Sequence, residues 1–249
     1  MTTDSALARD YDVEARDHSA HRYAYDFDYR MHRFTLRTLR QHMVPGSVLE
    51  LGCYHGHFTK LLCESFDDVE VVEASGQCIE QAARAVQGKA RFHNSTFETF
   101  APTRRYDNIF LIHTLEHLDQ RPAVLQRIAS WLAPAGLLFI ATPNAHAASR
   151  QIAVQMGLIS HAAAITEAEA AHGHRVTYTL DTLAAEARAA GLEVRARGGV
   201  VFKGLANFQM DKALAAGIID DAYLEGAYQL GLVYPDLCSS VFCVVSPKG

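Results

Sequence analysis

Between Val48 and Ala141 the chain alternates short apolar runs with helix-length amphipathic ones, and few folds accept that order. Val48–Leu51, Val69–Glu73, Ala90–His93, Asp107–His113 and Leu137–Ala141 read as strands, being brief and rich in branched or aromatic residues. Helices are expected between them. One runs from about Gly56 to Phe66, and a second runs from Ser75 as N-cap to Val86, with Gly88 past its end. A third begins at Pro122 and reaches Leu132, with Pro134-Ala135-Gly136 as its stop. Apolar strands alternating with helices predict a parallel sheet covered on both faces, with ligand-binding loops at the carboxyl ends of the strands.

The flanks are less regular. Residues 1–27 place Tyr11, Tyr23, Tyr25 and Phe27 among charges, which fits either a frayed terminus or a lid over a site. Met31–Met43 reads as a helix ended by Pro45-Gly46. Beyond Asn144 an Ala- and His-rich excursion covers 144–178. It is followed by a helix at Thr179–Ala190 and a strand at Leu192–Phe202, interrupted at Gly198-Gly199. A mostly helical excursion over 203–237 precedes a last strand at Leu237–Val245. There is no internal repeat and no low-complexity linker, so one domain over 1–249 is expected.

The turn after the first strand reads Glu50-x-Gly52-x-Tyr54-x-Gly56. Gly52 and Gly56 permit backbone angles, or a close ligand approach, that a Cβ obstructs. A helix starting near Gly56 aims free N–H groups at whatever lies above the turn. Glu73 ends the second strand 21 positions after Gly52, where a carboxylate can accept both hydroxyls of a ribose. The glycines are four apart, so the Gly-x-Gly-x-x-Gly spacing of dinucleotide oxidoreductases is absent. The pattern resembles the first motif of the class I S-adenosylmethionine (SAM) methyltransferases, acidic-x-Gly-x-Gly-x-Gly, with Tyr54 in place of the middle glycine.

That resemblance is strongest over 46–145. It implies a Rossmann-like, doubly wound α/β fold whose seven-strand sheet has an antiparallel last strand, with helical insertions forming a substrate lid. Residues 1–45 are then an N-terminal helical cap and 46–145 the cofactor-binding core, while 146–178 and 203–237 are the lid. The implied cofactor is SAM, held by Glu50, Gly52, Tyr54, Gly56, Glu73, Ala74 and His113. In Asn94–Glu98, Thr96 stands where the family often has an acid facing the adenine amine, and Phe97 offers apolar contact and a backbone N–H.

His113-Thr114-Leu115-Glu116-His117 begins at the end of the fourth strand. As His-x-x-Glu-His it matches the pattern of inverted zinc peptidases, but that pattern belongs on a long helix and here straddles a strand-to-helix junction. Leu-Glu-His is also a frequent packing motif at this place in class I methyltransferases. A helical turn starting at His113 puts positions 113, 116 and 117 on one face, and two imidazoles with a carboxylate suit a divalent ion. The stretch resembles the Glu-x-x-Glu-His metal motif of the ubiquinone-biosynthesis O-methyltransferases and the small-RNA 2′-O-methyltransferases, with His113 replacing the first Glu. Ala171–Thr179 resembles the further ligand segment of the small-RNA enzymes, with His174 at the ligand position. The implied metal ligands are His113, Glu116, His117 and His174, and His in place of Glu shifts preference from Mg²⁺ towards Mn²⁺, Fe²⁺ or Zn²⁺. Without a metal, His113 or His117 is the expected catalytic base.

The other histidines have no such pattern, although His146 and His172 fall in the lid, and Arg150, Arg175 and Lys203 are available to an anionic substrate. A net charge of −5 without a basic block disfavours a nucleic-acid partner. No apolar run approaches the roughly 20 residues that span a bilayer. The start, Met1-Thr-Thr-Asp-Ser, lacks a signal-peptide pattern, and the five scattered cysteines read as reduced thiols of a cytoplasmic protein. The expected function is methyl transfer to a small polar metabolite, at an oxygen. Metal-independent methylation of nitrogen or carbon and a non-catalytic SAM-binding role are the alternatives, and a homodimer is left open.

Overall fold

The computed structural model describes residues 9–14 and 24–248, so Tyr23 lies outside the described residues. In chain order the elements are α1 (Tyr11–Glu14), α2 (Asp26–Leu39), β1 (Val48–Leu51), α3 (His57–Cys63), β2 (Val69–Glu73), α4 (Gly76–Val86), β3 (Ala90–Asn94) and β4 (Tyr106–Ile112). They continue with α5 (Arg121–Ser130), β5 (Leu132–Pro143), α6 (Ala148–Gln155), α7 (Glu167–Ala171), α8 (Leu180–Ala189), β6 (Leu192–Phe202), α9 (Asn207–Ala215), α10 (Asp221–Val233) and β7 (Cys238–Pro247). Ser75 caps α4 as expected, its hydroxyl accepting from the Cys78 N–H at 3.0 Å.

The seven strands form one sheet in the order β3-β2-β1-β4-β5-β7-β6. β3 through β5 pair in parallel, and β7 runs antiparallel to both β5 and β6. This is the doubly wound sheet with an antiparallel last strand. Alternate residues of the central strands enter opposite cores. Leu49, Leu51, Ile109 and Leu111 pack with Leu125, Ile128 and Leu183, whereas Val48, Phe110 and Ile112 pack with Phe58, Leu62 and Leu224. The chain goes from β1 outward through β2 to β3, then returns to β4 on the other flank of β1. Loops leaving β1 and β4 therefore diverge and open a crevice between them.

Three departures have physical causes. α5 ends at Ser130 and β5 begins at Leu132, so Pro134-Ala135-Gly136 is not the helix stop expected; it is a bulge in which pairing jumps from Tyr106↔Leu132 to Asn108↔Leu137. β6 runs unbroken through Gly198-Gly199, because these glycines admit close neighbours: a Cβ would lie 2.8 Å from the Phe242 ring at the first and 2.3 Å from the Pro235 carbonyl at the second. The excursion expected as a lid over 203–237 contributes Lys203, Ala206 and Asn207 to a cavity wall, and its helix α10 packs on the core. Leu224, Ala227 and Tyr228 of α10 are buried in the core, and Arg30–Asp221 and Arg37–Glu225 pairs, each at 2.6 Å, tie it to α2. All five cysteines are free, and among the described residues no helix is long and apolar enough to cross a membrane.

At the β2–β3 edge an ion network makes stability depend on acidity. Arg104 bonds Asp68 at 2.5 and 2.8 Å and pairs with Glu70 at 2.6 Å, and Arg91 reaches both acids at 2.8 Å. The hydrogen bond from Arg104 is the main reason Asp68 falls to about 2. Burial pushes Glu70 up, but bonds from Arg91 and His93 and the charge of Arg104 bring it down to about 2. Folded-state values below the unfolded ones mean stabilisation that is present above the unfolded pKa and lost as pH falls through the folded one. Urea unfolding of wild type and Arg104→Met is expected to show a difference that is full above about pH 5 and fades towards pH 2. A pH-independent difference would assign Arg104 to packing alone.

Candidate functional site

A cavity of about 550 Å³ lies where β1, β2 and β4 end, within the roughly 300–1,000 Å³ usual for small-molecule sites. Of the residues expected to hold a cofactor, Glu50, Gly52, Tyr54, Glu73, Ala74, Thr96, Phe97 and His113 line it. Gly56 does not, which corrects the expectation: a Cβ there would sit 2.7 Å from the Ala82 backbone, so this glycine makes room for α4 rather than for a ligand. Tyr54 occupies the place of a glycine and still takes a left-handed conformation, φ 47°. The turn keeps its path at the strain cost of a side chain in that region.

Glu73 organises the turn. Its Oε2 accepts from the N–H groups of Cys53 at 3.0 Å and Tyr54 at 3.2 Å, and its Oε1 from Ser75 at 2.9 Å. Burial raises its pKa, and those backbone donors oppose the rise. Burial likewise lifts Glu50, at 2% exposure, to about 8.

The second group of expected residues gathers nearby, with one rearrangement. Donor atoms of Glu116, His117 and His174 all lie within 4.8 Å of one another. His113 stands outside this triad. The helical turn expected to begin at His113 is a single 3-10 turn at Leu115–His117, and His113 itself is left-handed at φ 50°. Its Nδ1 is 3.8 Å from Glu116 Oε1, and its Nε2 is 3.2 Å from the Ser240 hydroxyl. Both carboxylate oxygens of Glu116 are buried without a hydrogen-bond partner among the described residues. Burial depresses His113 to about 4, His174 to about 4, and His117 well below its ordinary value, with the neighbouring His174 adding to the effect on the first and last. Burial raises Glu116 to about 8, and neutral imidazoles beside an acid that can give up its proton to a cation are a donor set a divalent ion takes. The His117 ring also bonds the main chain of His172, a partner of the kind that orients a ligating imidazole. The residues therefore fit a metal ion.

Sequence reasoning did not single out Arg9, Asp12, Asp28 or Asn207. Arg9 donates to the His117 carbonyl at 2.7 Å, and Asp12 accepts from the Ser75 hydroxyl. Residues 9–12 thus bridge the triad and the start of α4. The aromatic clustering there was the available signal; nothing marked Arg9. His146 is exposed and does not line the cavity, whereas His172 is buried and does.

A doubly wound sheet with an acidic strand end and a left-handed turn at its switch point defines the class I SAM-dependent methyltransferase fold. The family described as Methyltransferase domain matches residues 20–197, and the chain belongs to it. Among curated relatives, a trans-aconitate 2-methyltransferase of Methylobacterium radiotolerans is 30% identical over 101 residues, 40% of this chain and 39% of that protein. A ubiquinone biosynthesis O-methyltransferase of Rhodopseudomonas palustris is 28% identical over 142 residues, 54% of each chain. The matches thus span about half or less of those relatives. Among solved structures, the DhpI-SAM-HEP complex has TM-score 0.59 at 18% identity, covering 95% of this chain and 94% of that one. The N-methyltransferase NodS of Bradyrhizobium japonicum, bound to S-adenosyl-L-homocysteine (SAH), has TM-score 0.56 at 15% identity, covering 91% and 90%. At such identities these likenesses concern the fold.

Proposed function

We propose that the chain transfers the methyl group of SAM to an oxygen of a small polar metabolite, assisted by a divalent cation. The observation that carries this reading is the buried, unpartnered Glu116 carboxylate beside His117 and His174, in the same cavity as Glu73. Bound SAM supplies an activated methyl carbon, and displacement there depends on an acceptor held in line and on exclusion of water. Gly52, Tyr54, Glu73, Ala74, Thr96 and Phe97 hold the nucleoside, with Glu50 beneath the turn. Arg9, Tyr11 and Glu14 of the N-terminal segment add to the cavity wall. Glu116, His117 and His174 would hold the cation, which supplies Lewis acidity that lowers the pKa of an acceptor hydroxyl. His113, and His117 where no cation is held, are the chain's own groups able to take the acceptor's proton. The curated relatives act, by name, on trans-aconitate and in ubiquinone biosynthesis, which supports a small-molecule acceptor. The net charge of −5 speaks against nucleic acid.

The test is metal content by elemental mass spectrometry on untagged wild type and His174→Ala. Near-stoichiometric divalent metal in wild type and its loss in the variant is the expected result. No metal in either after dialysis against Mn²⁺, Fe²⁺ and Zn²⁺ would remove metal assistance and return nitrogen and carbon acceptors to equal standing.

A further inference from the structure

Lys203, just past β6, lines the cavity and is only 6% exposed. A buried ammonium is costly unless something negative meets it. Its Nζ donates to the Leu205 carbonyl at 3.0 Å, which uses one of three protons, and lies 5.7 Å from the centre of the Phe27 ring. Among the described residues no carboxylate oxygen comes within 4.0 Å of it. Asp28 acts on it only from farther away, and each Asp28 oxygen accepts a hydrogen bond from another group, Oδ1 from Asn207 at 2.6 Å and Oδ2 from the Tyr25 N–H at 2.8 Å.

The other two cations available from sequence are occupied. Arg150 is engaged by Glu169 and by the carbonyls of Ala162 and Ala164, and Arg175 bonds Asp119 at 3.1 Å. Arg150 also adds a second positive charge near Lys203. Two residues before the lysine, Val201 is left-handed at φ 56°, a conformation that a β-branched residue keeps only when its surroundings impose it. The strain sits inside β6, between the pairs Val200↔Ser240 and Phe202↔Cys238, and the strand ends one residue before Lys203 reaches the cavity wall. Burial lowers the Lys203 pKa to about 8, which leaves the amine charged at neutral pH.

We propose that Lys203 binds a carboxylate of the methyl acceptor, so that the acceptor is a small carboxylic acid. This rests on reading the cavity as a methyl-transfer site. Lys203 then sets specificity: it fixes one end of the acid and leaves a second oxygen to face the methyl group.

The experiment is isothermal titration of SAH-saturated protein with acetate, benzoate, succinate and trans-aconitate, and with succinamide as the neutral counterpart of succinate. At least one carboxylate is expected to bind wild type, succinamide is expected not to, and Lys203→Met is expected to weaken the carboxylate roughly 10- to 100-fold without changing SAH affinity. Lys203→Arg is expected to retain part of the binding. Equal carboxylate affinity in Lys203→Met, succinamide binding as well as succinate, or no carboxylate binding at all would each overturn the proposal. The succinate and succinamide comparison needs only wild type, so a misfolded variant does not stop the test. Failure of wild type to bind SAH would instead count against the methyl-transfer reading, and the comparison can then be made without SAH.

Discussion

Glu73→Ala is expected to weaken SAH binding by about 100-fold or more. The size follows from what the carboxylate already does. The N–H groups of Cys53, Tyr54 and Ser75 bond it, the first two from the turn after β1, and the Ala74 N–H also acts on it. In the proposed role two ribose hydroxyls would compete with these donors for the carboxylate. The net contribution is thus one to two charge-assisted bonds, each worth about 1.5–3 kcal/mol. The substitution also leaves the N–H groups of Cys53 and Tyr54 without their acceptor, so the unliganded protein should melt lower as well. Melting with and without SAH separates the two effects. A purely structural role lowers both melts and preserves the upward shift that SAH gives; a binding role erases the shift. Unchanged SAH affinity in titration would remove Glu73 from the cofactor site.

The parts of this fold that are local in sequence could be read from it. The first five strands and the helices between them follow from short apolar runs and from caps such as Ser75, and their order fixes the sheet. What was not legible depends on partners distant in the chain. Pro134-Ala135-Gly136 looks like a stop because nothing local shows that β4 will pair on both sides of it. α10 is amphipathic either as a lid or as a layer, and only its burial against β6 decides. Gly56 and Gly52 look alike in the motif, yet one faces α4 and the other the cavity.

The site divides the same way. Glu116, His117 and His174 could be brought together by pattern; His113 joined them through the motif resemblance and through a helical turn, and its left-handed backbone excludes the turn while leaving its Nδ1 3.8 Å from Glu116. Arg150, Arg175 and Lys203 are indistinguishable as letters. Their difference lies in Glu169 and Asp119, which neutralise the arginines and leave the lysine without a near carboxylate.

Glu116→Gln is expected to reverse the order of stability with the presence of metal. Glu116 is 1% exposed, its main-chain oxygen is fixed by the Arg175 N–H at 2.8 Å, and neither carboxylate oxygen has a hydrogen-bond partner among the described residues. Burial raises the Glu116 pKa to about 8, so above the unfolded carboxylate pKa folding must protonate this acid or bury its charge, a cost that a neutral side chain of the same shape largely avoids. In EDTA the variant should therefore unfold at the same temperature as wild type or higher, with a gain on the order of 1 kcal/mol. With saturating Mn²⁺ or Zn²⁺ the wild type gains the free energy of binding, about 2.7 kcal/mol at a hundred times the dissociation constant, and the variant gains little. The crossing of the two melting curves between EDTA and metal is the signature, because a residue kept for packing costs the same in both. If Glu116→Gln melts well below wild type in EDTA, the carboxylate has a structural partner and the triad is not held ready for a cation. If the two melt alike in metal, the cation does not use Glu116, and the burial of an uncommitted acid at the end of β4 must serve the acceptor directly.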